Sequence, residues 1–288
     1  MNALTALEGR SASPKHQRTE ARDEANRDVL RRRLERGVRI ASIGVFLGGW
    51  ELVSWSNANV FHRFNPLLFP SLEAIALQGW EMLKSGELLV DTWASLARIF
   101  QGFSIAAFLG VLFGALVGRI RLCGAAIDPI ISILRPIPPL AFLPMLVLWF
   151  GIGEMSKIAF IAYAAFFPIF TTTVEGIKYV EPVLLRAAAS LGASQRDIFK
   201  HVVLPAALPS ILTGLRLGFS LSCFVIVAAE FIASNSGLGF LINEGRTFFL
   251  VPRMLVAAAM VGLLGFTFNV LLKKLEDRVL RWRLDSRG

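Results

Sequence analysis

Four ionisable side chains, Glu51, Asp128, Arg135 and Glu230, stand in or beside long apolar runs. Charges in such places are costly and are usually paired or functional. Arg135 precedes a stretch broken by Pro136, Pro138, Pro139 and Pro144. Proline removes backbone donors, and irregular backbone at membrane depth is tolerated where it lines a cavity. An anion entering there would meet a cation and unpaired N–H groups; the alternatives are that Arg135 pairs with Asp128 or faces the cytoplasm. Arg135, Pro138, Pro139 and Glu230 are therefore the candidates for a translocation path. For Glu230, near one end of its run, an interface-capping role is the alternative. Glu51, beside Trp50, reads as structural.

Bond-breaking chemistry has little to work with. There is no Gly-x-x-x-x-Gly-Lys-Ser/Thr loop, no Gly-Lys pair, no His-Glu-x-x-His and no Gly-x-Ser-x-Gly. The three histidines, His16, His62 and His201, are scattered, and Cys123 and Cys223 lie too far apart for a CxxC site or a disulfide framework. The expectation is a chain with no catalytic residues, no metal and no nucleotide of its own.

Of the 288 residues, 55% are hydrophobic and 18% charged, with a mean hydropathy of +0.59, against about 25% charged in a soluble domain. A bilayer core of roughly 30 Å needs about 20 apolar residues in helical form. Six runs approach that length: 40–59, 100–118, 136–153, 158–174, 217–233 and 254–272. The expected fold is all-α and polytopic, with six transmembrane helices. Arg and Lys crowd the segment before Arg39, the 119–121 and 178–216 connections and the C-terminus; Arg98, Lys157, Arg246 and Arg253 fall in the poorer alternate connections. The positive-inside rule then puts both termini in the cytoplasm. The net charge of +9 is divided among membrane-flanking segments without aromatic interleaving, which excludes nucleic acid as a partner. No cleavable signal peptide is visible, so the first run reads as a retained anchor.

Residues 1–37 read as a charged, partly disordered tail. Ser71 and Glu73 open an amphipathic helix that Gly86 ends. Gly110, Gly114 and Gly118 line one helical face and permit close approach of another helix, within the chain or in a dimer. The fourth connection predicts two short helices. Pro182 suits a first helical position, Gly192 a left-handed helix end, Ser194 with Asp197 a capping box, and Pro205 closes the second helix. Ala187 to Ala189 allow a partner to approach closely, while Leu184, Leu191 and Ile198 offer apolar contact beside Arg196 and Lys200. The pair looks built to dock.

Ala187, Ala188, Gly192 and Val203-Leu204-Pro205 resemble the EAA loop of ABC importer permeases. Pro70-Ser71, 135–141, 148–154, Ala228-Ala229-Glu230 and Gly237-Leu238-Gly239 are similar to the branch that imports taurine, aliphatic sulfonates and nitrate. The resemblance covers most of residues 40–273. It implies a transmembrane domain over 38–274 with a cytoplasmic coupling-helix loop at about 182–208, and a cytoplasmic tail over 275–288. It implies Arg186, Ala187, Ala188, Gly192, Ala193, Ser194, Ile198, Leu204 and Pro205 as ATPase-coupling residues. The partners implied are a second permease copy, two cytoplasmic ATPase subunits carrying ATP and Mg, and a periplasmic substrate-binding protein, at the bacterial inner membrane. The family's usual acid opening this motif is Arg186 here, a wording that taurine-type permeases share. Taurine or another sulfonate is the expected substrate, with nitrate, bicarbonate or an aromatic acid as alternatives; an ATP-independent channel is the rival from another class.

Overall fold

A computed structural model of the protein describes residues 41–61 and 65–280, together with 31, 34, 35, 37 and 38. Nearly all of the expected tail over 1–37, and residues 281–288, lie outside the described residues. The described residues are mostly helical, without strands, and divide at Leu72 into two compact units. In the first, helix α1 runs over 41–56 and passes into a π-turn at Asn57–Phe61. Three hydrogen bonds hold residues 69–72 of this unit to it. Trp50 Nε1 donates to Pro70 O at 3.1 Å, Ser54 Oγ to Phe69 O at 2.8 Å, and Leu72 N to Glu51 Oε2 at 2.9 Å. Glu51 satisfies a backbone donor at a helix start, which is structural work.

The second unit holds α2 (Leu72–Lys84, from Glu73 onward), α3 (Glu87–Arg119), α4 (Arg121–Leu134), α5 (Pro139–Phe150), α6 (Glu154–Lys178), α7 (Pro182–Ser190), α8 (Gln195–Ile198), α9 (Leu204–Ala233), α10 (Leu238–Thr247) and α11 (Val251–Val279). Gly86, at φ +80°, breaks the chain between α2 and α3 as its position predicts. Among the described residues four helices are long and apolar enough to cross a membrane: α3, α6, the continuous stretch Gln195–Ile232, and α11. The expected first run is helical over 41–56 and its start lies outside the described residues, so the count of six remains an expectation.

Two parts of the prediction change. The expected third span is α5, whose 12 residues reach only about 18 Å and cannot cross alone. It meets α4 at 98°, and only the bent pair together has the length of a crossing. The corner falls at Arg135–Pro138, where prolines deny the α4 ladder its next donors. The second change is at Pro205, which does not close a helix. Gln195–Ile232 runs on as one rod through a π-helical segment, Phe199–Val203. Leu204 N bonds to Phe199 O, five residues back, so the extra residue in the turn absorbs the donor that Pro205 lacks.

α6 is the packing axis. A Cβ on Gly102 would lie 2.6 Å from Ile161 Cβ; on Gly110, 2.9 Å from Ile169 Cγ2; on Gly114, 2.8 Å from Thr173 Cβ; and on Gly118, 2.9 Å from Ile177 Cβ. The offset is constant (161−102, 169−110, 173−114 and 177−118 are each 59), so α3 and α6 run parallel and in register. Gly110, Gly114 and Gly118 thus face α6 of their own chain. On another side of α6, Gly176 meets Ser210, and Gly218 meets Ile169 and Ala165, which sets α9 antiparallel. The core follows these contacts: Ile99, Phe103, Ala106, Phe160, Ile161, Ala164, Ala165, Ile169, Phe219 and Ile226 are buried together.

Gly114→Ala is expected to destabilise the protein by about 1–3 kcal/mol, because the new methyl meets Thr173 Cβ and the Phe170 carbonyl at 3.0 Å. Gly79→Ala, whose Cβ would stand 3.4 Å from Val256 Cγ2, is expected to hold or gain stability, alanine being about 1 kcal/mol the better helix former. Thermal unfolding midpoints in detergent check both.

Candidate functional site

Asp91, Ser95 and Arg98 occur at i, i+4 and i+7 of α3 and so share one face; all three are buried. Glu154 and Lys157 stand in the first turn of α6, and Glu230 in the last turn of α9. The parallel register of α3 and α6, with α9 antiparallel to α6, brings them together at one end of the bundle, the Glu154 end.

Arg98 is the centre. Its Nε and Nη2 donate to Glu154 Oε2 at 2.6 Å and Oε1 at 2.9 Å, a two-pronged pair. Nη1 donates to Glu230 Oε1 at 2.7 Å and Ser236 O at 2.8 Å, and Nη2 also to Ser236 Oγ at 3.0 Å. All of its donors, one on Nε and two on each Nη, are thereby used. Lys157 Nζ reaches Glu154 Oε1 at 2.8 Å and Ser234 Oγ at 3.2 Å.

Glu230, its side chain wholly closed to solvent, also accepts from Ser95 Oγ at 2.8 Å and Gly239 N at 2.7 Å. Asp91 Oδ1 accepts from Gly237 N at 2.6 Å, and Ser95 Oγ from Leu238 N at 2.8 Å. The N-terminal donors of α10 are capped by side chains of α3 and α9 rather than by their own turn. Glycine is required here: Gly237 sits at φ +114°, and a Cβ on Gly239 would lie 2.8 Å from both Glu230 Cβ and Val227 O. Glu154 alone is substantially exposed, 56% for its side chain. A second cluster lies on the same elements, with Arg253 of α11 pairing with Glu87 of α3 and with Glu244 of α10 at 2.7 Å.

This arrangement locks α3, α6, α9 and α10 together. Glu230 is paired inside the protein rather than capping an interface, and Arg98 and Lys157 are buried helix residues rather than connection charges. The i, i+4, i+7 spacing of Asp91, Ser95 and Arg98 was the available signal. Arg135 is exposed, and among the described residues it makes no ion pair. Asp128 pairs instead with Lys178, at 3.0 Å. Pro138 and Pro139 border an apolar cavity of about 550 Å³ that neither Arg135 nor Glu230 lines.

At the opposite end α7 begins with Pro182 and ends in a Schellman turn. Ala193 N bonds to Ala188 O and Gly192 N to Ala189 O, with Gly192 at φ +76°. Ser194 Oγ accepts from Asp197 N at 3.3 Å, the predicted cap. Arg186, Ala187, Arg196 and Lys200 are exposed, as is Leu191 at 88%. Ile198 is buried, near Phe199 and Val203, whose contacts are with Ile177, Ala207 and Ile211. The Arg119 guanidinium lies 4.3 Å from the Phe199 ring. The result is a short, largely exposed helix ended by a rigid turn, whose Arg186 guanidinium makes no ion pair among the described residues.

Residues 96–281 match the model of the binding-protein-dependent transport system inner membrane component family. The chain belongs to that family; it is an ABC transporter permease. The permease is 36% identical over 248 residues to the taurine transport system permease protein TauC of Escherichia coli, covering 84% of this chain and 88% of TauC. It is 33% identical over 231 residues to the riboflavin transport system permease protein RibX of Chloroflexus aurantiacus, covering 80% and 86%. In fold it is similar to a chain of the MetNI methionine ABC transporter in an inward-facing conformation, with TM-score 0.56 and 20% identity over 66% of this chain and 92% of that one. An amino acid ABC transporter solved with histidines gives TM-score 0.55 and 23% identity over 69% and 97%.

Removing Arg98 strands the buried Glu230 carboxylate, so Arg98→Ala is expected to cost the permease about 3–5 kcal/mol. Glu154→Gln, which keeps an acceptor and leaves Arg98 its pair with Glu230 but takes the counter-charge of the buried Lys157, is expected to cost less, about 1–3 kcal/mol. Unfolding midpoints in detergent rank the two, and the reverse order would refute the assignment of Arg98 as the centre.

Proposed function

We propose that this permease is the membrane subunit of an ATP-driven importer that moves a small anion, taurine or another sulfonate, across the inner membrane by alternating access. The observation that carries the reading is α7 with its Schellman turn, a largely exposed helix on which Arg186 makes no ion pair among the described residues. The ATPase subunits dock there, with Arg186, Ala187, Ala188, Gly192, Ala193 and Ser194 at the contact. Ile198, Leu204 and Pro205 pass the movement into α9 through the continuous rod. ATP and Mg sit on those subunits, of which the complex holds two, beside a second permease copy and a periplasmic binding protein. The likeness to the taurine permease supports the sulfonate class, while the likeness to a riboflavin permease keeps larger solutes in view. A channel would have no use for a rigid docking helix.

Nucleotide-driven closure of the ATPases acts on two α7 helices at once and biases the bundle toward one of two states. Arg186 stands where the family's usual acid would be, so a carboxylate on the ATPase is its expected partner.

Reconstitution with the co-encoded ATPase and binding protein is expected to give ATP-dependent accumulation of a sulfonate in proteoliposomes; equilibration without ATP would establish a channel instead. Arg186→Glu is expected to lower ATPase co-purification and uptake by about tenfold or more. An acid-to-lysine exchange at the facing ATPase position should restore them, and wild-type behaviour of Arg186→Glu would rule the contact out. Gly192→Val is expected to uncouple the subunits through strain at φ +76°, a conformation that a β-branched side chain does not adopt.

A further inference from the structure

Two open cavities of opposite charge flank α7. One, of about 390 Å³, lies between α7, the end of α3 and the start of the Gln195–Ile232 rod; Arg119 and Arg186 line it, and no acid does. The other, of about 500 Å³, lies between α7, the end of α6 and α9; Glu175 and Glu181 line it, and no cation does. Leu185 borders the first and Leu184 the second, so the two open on different faces of one short helix. We propose that they are sockets for side chains of a single ATPase subunit, an acid meeting Arg119 and Arg186 and a cation meeting Glu175 and Glu181, and that this order of signs decides which ATPase the permease accepts. The proposal rests on the importer reading above and deepens it, since Arg119, Glu175 and Glu181 lie outside α7 itself.

Three observations converge. First, all four charges are exposed, and among the described residues none makes an ion pair. Lys178, which stands between Glu175 and Glu181 in sequence, gives its Nζ to Asp128 at 3.0 Å. Arg119 lies over the Phe199 ring at 4.3 Å, a contact that positions the guanidinium and leaves its charge without a carboxylate. Second, both signs are present. Anionic headgroups of the inner leaflet would accept Arg119 and Arg186 but repel Glu175 and Glu181, whereas an ATPase approaching α7 from the cytoplasm meets both flanks at once. Third, each cavity suits its expected guest. Two guanidiniums offer paired N–H donors to a carboxylate, and Tyr179, 82% exposed in the acidic cavity, offers a ring face to a lysine or arginine.

Charges at the rim of an interface add to the encounter rate and fix its register, and they reject partners that bring like charges together. An ATPase with the signs in the other order would meet repulsion on both sides of α7.

The test is the affinity of the co-encoded ATPase for the permease in detergent, at low and high salt. Arg119→Glu, and separately the pair Glu175→Lys with Glu181→Lys, are each expected to weaken binding by about tenfold or more at low salt, with the difference from wild type shrinking at high salt. The neutral changes Arg119→Gln, and Glu175→Gln with Glu181→Gln, should weaken it less, because they remove attraction without adding repulsion. Lys274→Glu, at an exposed position of α11 that borders neither cavity, should leave the affinity unchanged. The four side chains are exposed and unpaired, so unfolding midpoints should stay at the wild-type value and separate a docking defect from a folding one.

Wild-type affinity in both reversals, with Gly192→Val still weakening it, would overturn the proposal and leave docking through α7 alone. So would a changed oligomeric state of the isolated permease in Glu175→Lys with Glu181→Lys, since the cavities would then join two permease copies. Loss of co-purifying phosphatidylglycerol from Arg119→Glu with the ATPase affinity intact would assign the basic cavity to lipid and overturn it equally. Failure of the wild-type permease to bind the ATPase at either salt would strike the docking reading, and this proposal with it.

Discussion

α6 can be approached on two sides only because its neighbours present glycine. In lipid the hydrophobic effect does not drive helices together, so association depends on close van der Waals fit and on polar groups that meet across the interface. Gly102, Gly110, Gly114 and Gly118 bring α3 within reach of Ile161, Ile169, Thr173 and Ile177, and Gly218 lets α9 lie along Ala165 and Ile169. That spacing is what places Arg98 2.7 Å from Glu230 and 2.6 Å from Glu154. Were α3 held off by a row of side chains, the Glu230 carboxylate would be buried beyond the reach of its counter-charge, a state costing several kcal/mol. The polar network is thus a consequence of the glycine register, and the α9–α10 turn, hung on Asp91, Ser95 and Glu230, is a consequence of the network.

The two ends of the bundle differ in kind. At the Glu154 end Arg98 spends all of its donors inside the bundle, and Arg253 adds a second set of ion pairs between α3, α10 and α11. At the Pro182 end single contacts tie neighbours: Lys178 to Asp128, Arg119 against Phe199, and Arg216 to Glu276. Beyond them α7 exposes most of its side chains. A rod that is clamped at one end and gripped at the other transmits displacement along its length, and Gln195–Ile232 is such a rod. Its π-helical segment carries Pro205 without a break, and the last turn of α9 carries Glu230. Movement imposed on α7 and α8 in the proposed importer therefore reaches the clamped end through one continuous helix.

Legibility in the sequence followed the range of the interactions. The α7 turn is local: Pro182, Gly192, Ser194 and Asp197 each act within a few residues, and their types and spacing specify it. The glycine face of α3 was readable in part, since Gly110, Gly114 and Gly118 declare a contact surface without saying what meets it; Gly102, two four-residue steps before Gly110 with Ala106 between them, extends it. The network was not readable as a unit. It joins Arg98 to Glu230 across 132 positions, and a hydropathy reading that starts the span at Phe100 leaves Arg98 outside the membrane helix, where a charge needs no partner. Pro205 misled for the opposite reason. Proline usually ends a helix, and only the π-turn before it, which no residue type announces, lets this one continue.

The sequence presents thirty basic residues, and those that the bundle buries are spent on its own carboxylates. Arg98 meets Glu154 and Glu230, Lys157 meets Glu154, and Arg253 meets Glu87 and Glu244. A buried ion pair gains little over well-packed apolar residues, but taking away one partner leaves an uncompensated charge that costs several kcal/mol. These pairs therefore act less as glue than as a penalty on every arrangement of α3, α6, α9, α10 and α11 that would separate them. The charges at the Glu154 end specify which helix faces meet, and the glycines of α3 and α9 let them meet closely enough.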